Sequence, residues 1–308
     1  MTTIRRLEAI TSLAEVPGPV VLAIGVFDGV HLGHQAVISR ALADAEDLGG
    51  NVVVVTFHPH PARVLRPERA PHLLASTQHK EQLLASLGVR YLLIIPFDAD
   101  FAVMPPEDFI RALHAACRPL REICVGHEWC FGKNRAGNLA LLGVLGDELG
   151  FDEVGVKAVR VGEQVVSSTL IREAVQGGDF QKARTLLGRN YTILGTVVEG
   201  AHLGSKLGFP TANLAAHNEQ FPPNGVYAVT ARLGDIWHPA VANLGVRPTV
   251  ENAGNRLLEI HLLDFTADIY GHDMEVRFTR LLRPEQKFEN LTVLREQIAK
   301  DVAAARGS

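Results

Sequence analysis

The chain has 308 residues, 47% hydrophobic and 21% charged, with a formal net charge of −4. That is long enough for two globular domains, and it lacks the clustered positive charge of a broad nucleic-acid-binding surface. Its three cysteines, Cys117, Cys124 and Cys130, cannot all pair within the chain and lack zinc-site spacing, so they read as reduced thiols.

Residues 1–19 mix Arg5, Arg6, Glu8 and Glu15 with apolar residues and lack a signal-peptide core. No stretch is apolar enough to span a membrane. The expectation is a cytoplasmic protein with neither a membrane nor a nucleic acid as partner.

The first half alternates strand and helix signals. Apolar, β-branched residues predict a buried strand over Val20–Phe27, and helical spacing predicts a helix over His34–Leu48, stopped by Gly49-Gly50. Strand Asn51–Phe57, helix Lys80–Leu87, strand Tyr91–Ile95, helix Pro105–Cys117 and strand Arg121–Val125 follow. This order implies an α/β domain with a mostly parallel sheet covered on both faces. Ligands of such folds sit where strand C-termini meet helix N-termini.

From Tyr191 the pattern changes to short strands, at Tyr191–Val198, Val226–Leu233, Ile236–Val241, Leu257–Leu263 and Met274–Leu281. Evenly spaced short strands predict a small antiparallel β-barrel, closed by a helix over Leu291–Ala305. The expected domains are residues 1–187 and 188–308.

Two segments carry chemistry. Gly25-Val-Phe27-Asp28-Gly29-Val-His31-Leu-Gly33-His34 follows a strand and opens a helix. Its glycines allow a ligand close to the backbone, and the helix start offers N–H groups and a partial positive charge to an anion. His31 and His34 can stand on one side of that helix start and stabilise charge on a polyphosphate. Zinc held with the help of His58 and His60 is the weaker alternative, because no third and fourth ligand have standard spacing. Further on, Ser167, Ser168 and Thr169 offer hydroxyls at a helix start, and Arg172 in its first turn can grip phosphates bidentately. A capped surface helix explains the same residues about as well.

The second segment, Gly195 to Asn213, runs from a strand into a glycine-rich loop. It lacks the spacing of a Walker A loop. Thr211 and Asn213 offer hard oxygens to Mg²⁺, although an ordinary turn after Pro210 suits the composition equally. Glu259 shares a strand face with His261 and could accept a proton, but a solvent-facing Glu is the commoner case.

Gly25 to His34 resembles the His-x-Gly-His signature of nucleotidyltransferases, in the form found in bacterial bifunctional riboflavin kinase/FAD synthetases. Thr56–Pro61, Val125–Gly137 and Ser167–Arg172 agree in order. Leu207-Gly-Phe-Pro-Thr-Ala-Asn213 resembles the riboflavin kinase signature. It is followed in family order by Pro223–Ala228, Asn243–Thr249, Glu259–Phe265, Tyr270-Gly271 and Leu282–Phe288.

The resemblance implies a Rossmann-like FMN adenylyltransferase domain followed by a riboflavin kinase barrel. The substrates would be riboflavin, FMN and ATP, with Mg²⁺ accompanying ATP. It implies that His31, His34 and Arg172 act on the phosphates, and that Gly25, Phe27, Asp28, Gly29, Gly33 and Ser167 to Thr169 bind nucleotide. In the kinase it implies nucleotide binding by Gly204, Lys206 and Gly208, metal ligation by Thr211 and Asn213, and Glu259 as base. Phe57, Glu128 and Trp129 are implied on the flavin side.

Glu128-Trp129-Cys130 departs from the family's usual Asp or Asn followed by Phe and then a polar residue, and Ser205 stands where Arg is common. A narrower alternative is therefore a riboflavin kinase with a weakened adenylyltransferase domain. Assembly into a homo-oligomer is left open by the sequence.

Overall fold

The structure is a computed structural model that describes residues 3–200, 204, 207–246 and 256–306. The chain folds into two compact units, one of residues 1–71 and 77–168, the other of residues 72–76 and 169–308.

The first unit is an α/β sheet. Its strands are β1 (Arg5–Leu7), β2 (Val20–Ile24), β3 (Asn51–His58), β4 (Tyr91–Pro96), β5 (Leu120–Gly126) and β6 (Asp152–Val156), in spatial order β1-β4-β3-β2-β5-β6. Every pairing among them is parallel. All five residues of β2 are buried, as a central strand covered on both faces requires. The two faces carry separate cores: Leu22, Ile24, Val53 and Val55 on one, Val21, Ala23, Val52 and Val54 on the other.

Helix α1 (Leu32–Asp47) is capped at its start by His31, whose Nδ1 accepts from the His34 N–H at 3.3 Å. α2 (Pro61–Leu65) is capped in the same way by His60. α3 (Thr77–Ser86), the short α4 (Ala99–Ala102), α5 (Pro106–Ala116) and α6 (Leu139–Leu149) follow. Pro106 opens α5, where its missing N–H costs nothing, and Gly150 in the left-handed region ends α6. A two-stranded ribbon, β7 (Arg160–Val161) with β8 (Gln164–Val165), completes the unit.

The strand expected over Val20–Phe27 is shorter than its composition predicts. β2 stops at Ile24, and Phe27 and Val30 take φ of +51° and +42°. The apolar run continues past the strand because Phe27 and Val30 are buried in a turn, at 1% and 2% exposure. Spatially, β2 is the point where the strand order reverses, with β3 on one side and β5 on the other. The crevice beyond the C-termini of β2 and β5 is thus the expected ligand position of a doubly wound sheet.

The second unit contains α7 (Ser168–Gln176) from Thr169 onward, α8 (Phe180–Leu187) and a closed antiparallel barrel. The barrel strands are β9 (Thr192–Val198), β10 (Ala212–Ala216), β11 (Gly225–Leu233), β12 (Ile236–Val246), β13 (Arg256–Leu262) and β14 (Asp273–Arg283), in order β10-β13-β12-β11-β14-β9. Leu214, Leu258 and Leu244 form one cross-strand row, at 3%, 0% and 0% exposure, and fill the barrel. Period-two alternation puts the neighbouring row, Asn213, Glu259 and Asn243, on the outer face.

Helix α9 (Leu291–Arg306) lies against that outer face, with Val302 and Ala305 on Val226, Ala228 and Val241. The Arg283 guanidinium, in β14, donates to both Asp301 carboxylate oxygens at 2.9 to 3.2 Å, and Gln297 Nε2 adds a bond at 2.9 Å.

Residues 72–76 are tied into this unit by hydrogen bonds. The Leu73 N–H donates to the Glu219 carboxylate at 3.1 Å, the Leu73 carbonyl accepts from the Glu219 and Gln220 N–H groups, and Asn218 Nδ2 donates to the Leu74 carbonyl.

Candidate active sites

In the first unit the turn after β2 and the turn after β5 face a common cavity of about 410 Å³. It is lined by Gly25, Phe27, His31, Gly33, His34, Gly126, Glu128 and Trp129, among others. Gly25 leaves room for the Phe27 ring, since a Cβ there would lie 3.0 Å from it. A Cβ on Gly33 would likewise come within 3.1 Å of the His31 ring. His31 and His34 stack with centroids 3.5 Å apart and planes 16° apart, and Phe27 meets His34 edge-on at 5.3 Å. Two imidazoles are thereby fixed at the N-terminus of a sixteen-residue helix, where the dipole favours an anion.

Gly29, with φ of +79°, completes the turn, and Asp28 is buried at 3% exposure. Ser168 Oγ donates to the Asp28 carbonyl at 3.0 Å, which brings the later serine pair against this loop. Ser167 precedes it in the first unit, whereas Thr169 and Arg172 fall in the second, where Arg172 Nε donates to the His72 carbonyl at 2.7 Å.

A second cavity of about 460 Å³ lies on the other side of Val26, Glu128 and Trp129, which line both. It is strongly aromatic, bounded by Phe57, Phe97, Phe101, Phe109, Trp129 and Phe131. Trp129 stacks on Phe131 at 4.3 Å and 13°. Glu128 and Trp129 therefore form a partition between a cavity at the anion-suited helix start and an aromatic-walled cavity. His58 and His60 are spoken for locally: His58 Nδ1 pairs with Thr77 Oγ1 at 3.1 Å, and His60 Nδ1 caps α2. Neither lines the cavity of His31 and His34.

Sequence reasoning passed over Lys80. This residue lies on α3, is 7% exposed, and its ammonium donates to the Val26 carbonyl at 2.7 Å and to Thr56 Oγ1 at 3.3 Å. Burial pushes it down to about 8, with Asp28 opposing the shift. The available signal was positional: Lys80 stands on the apolar stripe of Leu83, Leu84 and Leu87, where a helix ordinarily places a hydrophobe.

The second unit has a cavity of about 270 Å³ between the barrel wall and α9. Phe209, Thr211, Asn243, Glu259, His261, Arg283, Phe288 and Ile298 are among its lining residues. Asn243 Nδ2 donates to Glu259 Oε2 at 3.2 Å and so holds the carboxylate's orientation. His261 Nδ1 contacts the Pro210 carbonyl at 2.8 Å and its ring meets Phe209 edge-on, which fixes the chain just before Thr211. A neighbouring cavity of about 410 Å³, lined by Pro210, Thr211, Phe265 and Tyr270, shares Thr211 with the first. Thr211 thus stands at the junction of two cavities.

Gly200 and Gly204 lie close against the two candidate metal ligands. A Cβ on Gly200 would come within 1.8 Å of the Asn213 amide, and one on Gly204 within 3.0 Å of Thr211 Oγ1. Asn213 is 7% exposed, and Gly208 turns with φ of +86°. Thr211 and Asn213, two residues apart in an extended segment, offer a hydroxyl and an amide oxygen of the kind a hard cation takes; Thr211 lines both barrel cavities and Asn213 lines neither. Lys206, Ser205 and the stretch Arg247–Thr249 lie outside the described residues.

Fold and sites together define a two-part transferase, with a helix start suited to an anion in the α/β unit and a carboxylate-lined cavity in the barrel. The FAD synthetase family model matches residues 13–170, and the riboflavin kinase family model matches residues 187–308. The bifunctional riboflavin kinase/FMN adenylyltransferase of Escherichia coli K12 is 37% identical over 302 residues, covering 97% of this chain and 96% of that one. The protein of the same description from Haemophilus influenzae is 38% identical over 287 residues, and that from Bacillus subtilis 35% over 287. A crystal structure from Streptococcus pneumoniae, described as a macrolide-efflux protein, superposes with a TM-score of 0.85 at 27% identity, covering 98% of this chain and 99% of that one. Among the described residues no helix is long and apolar enough to cross a membrane. The chain belongs to the bifunctional riboflavin kinase/FMN adenylyltransferase family.

Proposed function

We propose that the two reactions of this family are divided between the two units, with the functional boundary at 187/188. The chain phosphorylates riboflavin to FMN and joins FMN to AMP from ATP, giving FAD and pyrophosphate. The observation that carries the residue assignment is that Glu259 lines a cavity in the barrel while His31 and His34 line another in the α/β unit.

In the barrel, the apolar cavity under α9 takes the flavin ring and the cavity beyond Thr211 takes the nucleotide. The riboflavin 5′-hydroxyl then lies near Glu259, which accepts its proton as the oxygen attacks the ATP γ-phosphorus and ADP leaves. Asn243 keeps the carboxylate pointed at that proton. Thr211 and Asn213 would hold Mg²⁺, which when bound neutralises charge on the ATP phosphates. Gly204, Gly208 and Lys206 would serve the ATP phosphates.

In the α/β unit, the aromatic cavity takes the FMN ring, with Phe57 and Trp129 against it and Glu128 at the partition. The FMN phosphate attacks the ATP α-phosphorus and pyrophosphate leaves. His31 and His34 stabilise charge on the transferring phosphate and leaving group, aided by the helix N-terminus, Gly25 to Gly33 and the hydroxyls of Ser167 and Ser168. Glu128-Trp129-Cys130 leaves both cavities open, so the reading with two activities is preferred to a kinase alone. Reduced cysteines and ATP use suit the cytoplasm.

The test is chromatographic separation of products. Purified protein with ATP and Mg²⁺ should convert riboflavin to FMN and supplied FMN to FAD. Absence of either product would remove that half of the reading.

A further inference from the structure

The loop from Gly25 to Val30 holds two non-glycine residues in the left-handed region, one of them β-branched. Such conformations persist only where the surroundings over-determine them. Here the anchors are identifiable. The Val26 carbonyl accepts from two side chains, Lys80 Nζ at 2.7 Å and Thr56 Oγ1 at 3.0 Å. The Gly25 N–H is tied to the Val55 carbonyl at 3.0 Å, and Gln35 Nε2 to the Val30 carbonyl at 2.9 Å. His31 and the start of α1 follow immediately, so the imidazole positions depend on where this loop is held.

Of these anchors Lys80 is the costly one. Lys80 stands one turn before Leu84 on the same helix face, and both are buried. A Met there would pack without desolvating a charge. Folding alone gives no reason for an ammonium at that position, whereas a loop that must present two histidines to a polyphosphate does.

We propose that Lys80 is a positioning residue for adenylyl transfer: from beneath the loop its ammonium clamps the Val26 carbonyl beside Asp28, and so sets His31 and His34 against the reacting phosphate. This rests on the adenylyl-transfer reading of the site. The clamp acts in the transition state through the imidazoles and makes no contact of its own with either substrate. Thr56 belongs to the same clamp, since its hydroxyl donates to the Val26 carbonyl and accepts from Lys80.

The test uses the full chain and both of its activities. In Lys80→Met, kcat and kcat/KM for FAD formation should fall together, by about a hundredfold, as a small misplacement of catalytic groups produces. Riboflavin phosphorylation in the same preparation should change by less than about twofold. Thr56→Val keeps the strand and the side-chain volume. It should lower FAD formation about two- to tenfold, the worth of one hydrogen bond. Adding it to Lys80→Met should cost little more, because the two share one acceptor.

FAD formation at the parent rate in Lys80→Met would overturn the proposal, as would a raised KM for ATP at unchanged kcat. Parallel loss of both activities would reduce Lys80 to a structural residue. If Lys80→Met does not fold, an unimpaired Thr56→Val overturns the clamp. The parent protein run alongside tests the underlying reading separately, since absence of FAD from the parent would remove the site itself.

Discussion

Replacing Glu259 by Gln tests the kinase chemistry with little disturbance of the barrel. The Asn243 amide donates to Glu259 Oε2 at 3.2 Å, and a Gln carbonyl oxygen can accept the same bond. The residue sits on the outer face of β13, opposite Asn213 and Asn243, so the change creates no interior cavity. What disappears is the capacity to take a proton. General-base catalysis contributes about 10²- to 10⁴-fold, which corresponds to about 2.7–5.4 kcal/mol of barrier. The expected result is a fall of that size in riboflavin phosphorylation, followed by chromatography of FMN. FAD formation from supplied FMN should remain at the parent rate, and the thermal midpoint should stay within about 3 °C, as for a change under about 1 kcal/mol. A variant that keeps more than about a tenth of the kinase rate would refute Glu259 as base, being less than the smallest general-base contribution. Loss of both activities with an intact fold would refute the separation of the sites.

His31→Ala should lower FAD formation about 10²- to 10³-fold, the scale of one electrostatic stabiliser, with FMN formation spared. It also removes the α1 cap, so His31→Asn, a good capping residue, should recover the lost stability in a melting experiment without recovering FAD formation. Gly200→Ala places a Cβ 1.8 Å from the Asn213 amide and should weaken kinase activity through displacement of that side chain, read as a raised Mg²⁺ requirement. An unchanged Mg²⁺ titration would dissociate Asn213 from the metal. Glu122, pushed up to about 6 chiefly by burial, holds its proton in the folded state when the unfolded chain has already lost it. Stability should therefore decline as pH rises from about 4.5 to about 6. Glu122→Gln should abolish that decline, and equal pH profiles for the two proteins would contradict it.

Much of this architecture was legible in the sequence because it rests on continuous apolar runs and short-range punctuation. The Val52–Val55 run marks the central sheet, and the alternation of Leu258, Ile260 and Leu262 with Glu259 and His261 marks the barrel wall. The strand β1 and the ribbon β7–β8 leave no such signal, being two or three residues long and largely polar. Phe27 and Val30 read as ordinary apolar residues of a strand and its following turn. Nothing local announces a buried turn at positive φ, since its stability comes from Lys80 and Thr56 fifty-four and thirty residues away. The partition role of Trp129 was likewise invisible, because it depends on a stacking partner and two cavities assembled from residues far apart in the chain. Glu259 was legible as a candidate, but its orienting partner Asn243 comes from an adjacent strand and only the barrel register brings them together.

The short segment 72–76 has a consequence for anyone cutting this chain. Its Leu74 and Ala75 are 1% and 2% exposed, and its backbone groups are the partners of Asn218, Glu219 and Gln220. A fragment beginning at 188 carries every barrel strand yet leaves behind a piece of its own interior, encoded more than a hundred residues upstream. Cutting at 188 therefore separates buried residues from the unit in which they pack. A peptide spanning 72–76, supplied in trans or grafted ahead of the fragment, is the natural repair.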